Sequence, residues 1–194
     1  MCQRMFFVAA SLCLVFTCSA SPARAEGEEN ETVPLFEFED STESNWSVVN
    51  DGVMGGRSKG YREVAGGIMR FDGTLVTRGG GFTSVWTPRR VDLSSFDGLE
   101  MRVRGNGRDF EVEVNDGLRY GWRNVSRRIP FETTEEWRTV RVPFSDVRST
   151  VFGEPVNVAQ IDLASVERFG FYILDGIDGP FWLEIDSVRA YRGR

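Results

Sequence analysis

The stretch 99-LEMRVRGNGRDFEVEVND-116 decides the fold. Leu99, Met101 and Val103 occupy alternate positions, with Glu100, Arg102 and Arg104 between them. Beyond a break of Gly and Asn the alternation resumes, with Phe110, Val112 and Val114 opposed by Glu111 and Glu113. A period of two places every second side chain on one face, so both runs read as half-buried antiparallel strands. The same alternation returns at 137-WRTVRVPF-144 and 181-FWLEI-185. Further strand-like runs are predicted at 35–39, 45–49, 59–64, 67–72, 82–87, 119–128 and 168–174. No window carries a helical period, apart from one short helical turn expected within 158–169. Ten or so short strands separated by Gly, Asn, Asp and Pro predict one all-β domain over 35–192, a two-sheet antiparallel β-sandwich or jelly roll.

The chain of 194 residues is 41% hydrophobic and 27% charged, which suits a single domain of this kind. Its first 25 residues differ in character. Arg4 precedes the apolar run 6-FFVAASLCLVF-16, and 23-ARA-25 supplies a small-x-small cleavage site. This is the order of a signal peptide, and the run is too short to span a bilayer. The expectation is export to a periplasm or the cell exterior, with no membrane span left after cleavage. The alternatives are an organelle signal, which would make the protein mitochondrial, and a lipoprotein signal ending at Cys18. The acidic, polar stretch 26-EGEENETVP-34 reads as a disordered leader.

Composition excludes several chemistries. There is no histidine, and Cys2, Cys13 and Cys18 all lie within the predicted signal. The remaining domain therefore lacks imidazole, thiolate, disulfide and Cys/His zinc sites. A net charge of −6, made two units more negative by removal of Arg4 and Arg24, disfavours nucleic acid as a partner. The carboxylate pairs Glu37/Glu39, Glu111/Glu113 and Glu184/Asp186 have the i, i+2 spacing of a solvated sheet face. A glycosidase would need two acids converging in one cleft. No enzyme is predicted.

Three places could bind. In 50-NDGVMGGRS-58, Asn50-Asp51-Gly52 makes a turn, yet Val53 and Met54 follow it with bare apolar side chains. They either tuck beneath the sheet or project as a contact tip, and the second glycine run, 79-GGGF-82, would let two backbones approach closely. In 119-RYGWRNVSRR-128, Tyr120 and Trp122 fall on one strand face, with Arg119 and Arg123 opposite, and Tyr120, Trp122 and Arg123 are the candidate ligand platform. They serve either as core aromatics or as a platform for a sugar ring or partner protein. In 175-DGIDGPF-181, Asp175 and Asp178 are candidate oxygen ligands for calcium, with an Asp-Gly turn as the plainer reading. No other cofactor is expected.

Trp46 followed by 50-NDGVMGGRS-58 resembles the signature of the complex I intermediate-associated protein 30 family. Further matches are 79-GGGFTSV-85, 92-DLSSFDGLEMRVRGNGR-108, 137-WRTVRVPF-144 and 179-GPFWLEIDSVRAY-191. The resemblance covers roughly 35–192. It implies a galactose-binding-domain-like sandwich and a non-catalytic role, since the family's named members are chaperones of respiratory complex I assembly. The positions that carry over are Trp46, Asn50, Asp51, Gly52, Val53, Met54, Gly55, Gly56 and Ser58, whether for binding or for folding. The expected function is protein binding in the assembly or scaffolding of a complex, and the alternative is an exported carbohydrate-binding module.

Overall fold

The computed structural model describes Met1, residues 31–39 and residues 45–193. Residues 2–25 of the predicted signal peptide, and residues 26–30 of the predicted leader, lie outside the described residues.

Two antiparallel sheets face each other. One has the order β11 (Arg138–Pro143), β6 (Gly98–Gly105), β15 (Gly179–Tyr191), β4 (Ile68–Leu75) and β3 (Lys59–Ala65), with β1 (Thr32–Phe36) pairing to the far half of β15. The other runs β13 (Glu154–Pro155), β12 (Arg148–Val151), β10 (Ser126–Glu132), β7 (Asp109–Asn115), β14 (Val166–Ile173), β5 (Thr83–Val91) and β2 (Ser47–Asn50). A separate two-stranded hairpin, β8 (Arg119–Tyr120) with β9 (Arg123–Asn124), stands off the second sheet. The alternation in 99–116 does what its period requires. Leu99, Met101 and Val103 from β6 and Phe110, Val112 and Val114 from β7 are all buried in one core between the sheets. Because β6 and β7 belong to different sheets, the short Gly-Asn-Gly connection crosses from one layer to the other. Phe71, Phe110, Phe169, Phe171 and Phe181 fill the space between layers, and Trp46 packs on Phe36 and Phe171 at centroid distances of 5.2 and 5.9 Å.

The structure corrects two boundaries. The leader expected to stay disordered through Pro34 gives way earlier. Thr32, Val33 and Pro34 pair with Tyr191, Ala190 and Arg189, and Arg192 holds Glu31 at 2.5 Å. Composition alone misses this, because the apolar anchor of the strand, Leu35 and Phe36, comes after its polar start. The run 119–128 is not one strand. It folds back at Gly121, whose φ of 64° suits a tight turn, before β10 begins at Ser126. The helical turn expected within 158–169 is a short 3-10 turn at Leu163–Ser165, capped by the Asp162 side chain on the Ala164 amide.

Candidate functional site

The signature loop is built around one carboxylate. Asp51 begins a 3-10 turn, Asp51–Met54, and its side chain is 0% exposed. Oδ1 accepts from the Ser58 amide at 3.0 Å. Oδ2 accepts from the Ser58 hydroxyl and the Gly81 amide, each at 2.7 Å. Burial pushes this carboxyl up, but the donors at Gly81, Ser58 and Phe82 outweigh it and hold it below the usual Asp value. Both glycine runs exist to make room for it: a Cβ on Gly56 would sit 2.1 Å, and one on Gly80 2.4 Å, from Asp51 side-chain atoms. Ser58 Oγ in turn accepts from the Val76 amide at 3.0 Å. Asn50 Oδ1 accepts from the Gly60 amide at 2.8 Å and the Thr83 hydroxyl at 2.6 Å. Trp46 is in the core. The side-chain oxygens of Asn50, Asp51 and Ser58 are thus engaged by the protein's own chain, tying β2, β3 and the 79–82 run together. Met54 points the other way, 61% exposed, at the tip of the turn that also carries Val53.

The candidate calcium ligands serve different partners. Asp175 is clamped by Arg108, whose Nε and Nη2 lie 2.5 and 2.6 Å from its two oxygens. Burial raises the Asp175 carboxyl, and the Arg108 hydrogen bonds bring it back below the usual range. Asp178 accepts from the Thr77 amide at 2.6 Å. Among the described residues, no group of three or more acidic, Cys or His side chains is placed to hold a metal. A cation at Asp175 would have to displace a guanidinium. The carboxylates of the Glu184/Asp186 pair are likewise taken up by arginines. Glu184 accepts from Arg70 at 2.7 Å and Arg104 at 2.6 Å, and Asp186 pairs with Arg102 at 3.2 Å, on the outer face of the β15 sheet.

Tyr120, Trp122 and Arg123 are not in the core. They form the turn of the β8–β9 hairpin, with Trp122 72% and Tyr120 54% exposed. A second turn, at Phe152-Gly153, brings another ring beside them. The Phe152 ring is 66% exposed and its centroid lies 6.4 Å from that of Trp122. The Arg123 guanidinium sits 4.8 Å from the Trp122 ring and 5.0 Å from the Phe152 ring. The base of this cluster is fixed. Arg127, 1% exposed, pairs with Asp116 at 3.1 Å and donates to Ser149 Oγ and the Ala159 carbonyl. Asn115 holds the Val125 carbonyl at 3.1 Å, and the Val125 amide bonds Leu118 at 3.0 Å.

The sequence missed a polar array on the solvent side of the seven-stranded sheet. Glu113 was assigned to a solvated face, yet it is 0% exposed. The Tyr172 hydroxyl donates to it at 3.2 Å, Arg168 pairs with it at 3.3 Å and Asn115 donates to it at 3.3 Å. Arg128 pairs with Glu111 at 2.9 Å and lies over the Tyr172 ring at 4.9 Å, while Arg168 lies over Trp86 at 5.6 Å. Burial first, and the negative Glu113 second, push the Tyr172 hydroxyl up to about 12. Trp86 and Arg168 border a depression of about 440 Å³, completed by Pro88, Arg89, Arg90 and Glu167. No spacing rule would have found this array, because its members come from four strands distant in sequence.

Comparisons with known proteins agree with this architecture. The family described as complex I intermediate-associated protein 30 matches residues 36–185. The chain is 32% identical over 104 residues to the mouse (Mus musculus) protein named complex I intermediate-associated protein 30, mitochondrial, covering 52% of this chain and 32% of that one. It is 26% identical over 184 residues to the Drosophila melanogaster protein of that name, covering 81% of this chain and 62% of the relative. The chain therefore spans less than two thirds of the length of either relative. Among solved structures it resembles a family 11 carbohydrate-binding module from a Clostridium thermocellum cellulosomal cellulase, with TM-score 0.62 and 16% identity over 84% of this chain and 96% of the module. An agarase chain gives TM-score 0.59 and 14% identity over 84% of this chain and 25% of that one. Such low identity speaks for the fold, a galactose-binding-like β-sandwich, and for nothing further. The matched span runs from β1 into β15 and contains the whole Asp51 clamp, so the chain belongs to the complex I intermediate-associated protein 30 family.

Proposed function

We propose that this protein is a non-catalytic, protein-binding β-sandwich that assists the assembly of a protein complex. The observation that carries this is the group of Tyr120, Trp122 and Phe152 rings held out in solvent on two turns whose bases are buried. Exposed Trp and Tyr beside Arg is the composition of a binding hot spot. Met54, on the tip of the signature turn, is a second candidate contact, and Val53 shares that turn. The names of the curated relatives support complex I intermediates as the class of partner. The test is crosslinking in the native host followed by affinity capture, comparing the wild-type chain with Trp122→Ala and with Met54→Ser. Recovery of respiratory-complex subunits by the wild type, and their loss in Trp122→Ala, is the expected result. Equal recovery by all three proteins removes these surfaces from the reading. Fractionating the same cells places the protein. Export of a form lacking residues 1–25 supports the signal read from the sequence, whereas recovery in mitochondria follows the relatives' names.

A carbohydrate-binding reading is favoured by a different surface, the Trp86 depression with Arg168, Tyr172 and Glu111 beside it. The half-buried Trp86 ring, with Arg168 over it, borders the depression, and its neighbours offer charged hydrogen-bonding groups for a sugar. Glycan-array binding that disappears in Trp86→Ala would establish it. An array without signal for the wild type would end it.

A further inference from the structure

The β12–β13 turn is unusual in one residue. Val151 pairs with Glu154, so the loop contains only Phe152 and Gly153, and both have positive φ, 53° and 85°. That is the backbone of a type I′ turn, for which Asn-Gly is the common solution. Phenylalanine is strained there, and its ring is not buried in compensation. The ring meets the neighbouring hairpin through Trp122 and Arg123. Strain that exposes an aromatic ring, on a base fixed by the buried Arg127–Asp116 pair, is what a pre-organised contact requires.

The charges around the rings indicate what they meet. Arg119 and Arg123 have no carboxylate partner among the described residues; Arg119 donates to the Trp122 carbonyl at 2.8 Å and Arg123 stacks on rings. The two turns contain one acid, Glu154. This is a local excess of positive charge on a chain of net charge −6. Trp122 and Phe152 are tilted by 60°, so they form a wedge and not the flat platform that a pyranose ring stacks on. Two arginines on an acidic body are few for an anionic bilayer, whose hold grows with the number of basic groups. We propose that the Tyr120–Trp122–Phe152 wedge, flanked by Arg119 and Arg123, docks a partner-protein segment in which apolar side chains alternate with Asp or Glu. This rests on the protein-binding reading and names the chemistry of the partner.

Three synthetic peptides test it, each repeating Leu-x-x-Phe, with x as Glu, Gln or Lys, against the full-length chain by fluorescence anisotropy. The Glu peptide is expected to bind about fivefold more tightly than the Gln peptide, from two exposed charge pairs, and the Lys peptide weakest. The Glu–Gln difference should vanish in about 0.5 M salt and in Arg119→Glu/Arg123→Glu. Trp122→Ala and Phe152→Asn should weaken both peptides, and Tyr61→Ser, at an exposed position of β3 in the other sheet, neither. Equal binding of Glu and Gln peptides, both lost in Trp122→Ala, overturns the acidic segment and leaves the protein-binding reading standing. No binding to any peptide overturns the proposal. Tighter, Trp122-dependent binding to phosphatidylserine vesicles than to the Glu peptide overturns it in favour of a membrane surface.

Discussion

Asp51 shows how a signature residue can look functional and be used for folding. Its carboxylate adds to the turn's own backbone bonds, from the Gly55 and Gly56 amides to the Gly52 and Asp51 carbonyls, by receiving the amides of Ser58 and Gly81. Asp51→Ala would leave those donors unpaired, at about 1–3 kcal/mol each, so a loss of about 3 kcal/mol of unfolding free energy is expected from denaturant titration. Gly80→Ala should also destabilise, because its Cβ would meet the carboxylate at 2.4 Å. The same change in an Asp51→Ala background should cost less, since the contacts at 2.4 and 2.7 Å are removed and only the position-51 Cβ at 2.9 Å remains; simple additivity of the two would refute the account. Met54→Ser, at the exposed tip, should stay within about 0.5 kcal/mol of wild type. The sequence disclosed part of this arrangement, since two glycine runs imply two backbones in close approach. It did not disclose that an aspartate lies between them, because Asp after Asn is equally common in a solvated turn. Asp175 teaches the converse. Its turn resembles an ion site in sequence, but Arg108 already supplies the positive charge. Millimolar calcium should therefore leave the melting midpoint unchanged, and a rise of several degrees would show that the guanidinium gives way.

At the level of elements, period-two patterning located β6, β7 and β11 to within about two residues, because one face of each meets the core, and the further strand-like runs located β3 and β14 equally well. It failed at 119–128 for a physical reason. Aromatic and basic residues alternate there as they would on a half-buried strand, yet the turn at Gly121 carries both rings into solvent. It also passed over β12 and β13, whose short, polar runs of four and two residues contain no period to read. The strained turn joining them gives a sharp prediction. Asn adopts a left-handed conformation more easily than Phe, whose penalty there is about 1–2 kcal/mol. Phe152→Asn should therefore raise stability by about 0.5–1 kcal/mol while weakening partner capture. A drop in stability would mean that the ring's contacts with Trp122 and Arg123 outweigh the backbone strain.

For the whole molecule, composition and ion pairing together set the response to pH. The chain has no histidine, so no imidazole changes charge between about pH 5 and 8, and stability should be level there. Below that plateau the sign follows from the carboxylates. Burial raises Asp51, Asp116 and Glu184, but hydrogen bonds and, for the last two, arginines more than offset it, so all three lie below their ordinary values of 3.8 and 4.5. A depressed acid contributes stability that is complete above its unfolded value and is lost as pH falls through its folded one. Unfolding by acid should therefore begin below about pH 4.5 and steepen below 3.8. Tyr172 governs the alkaline limb with the opposite sense. Its hydroxyl is raised from 10.0 to about 12 by burial and by Glu113, so the folded state keeps a proton that the unfolded state gives up. That contribution is present below pH 10 and disappears between 10 and 12. Melting midpoints measured from pH 2 to 12 should trace a broad plateau with an acid and an alkaline edge. Tyr172→Phe should remove part of the alkaline edge and leave the acid one in place. A step near pH 6.5 would contradict the scheme, because no imidazole exists to produce it.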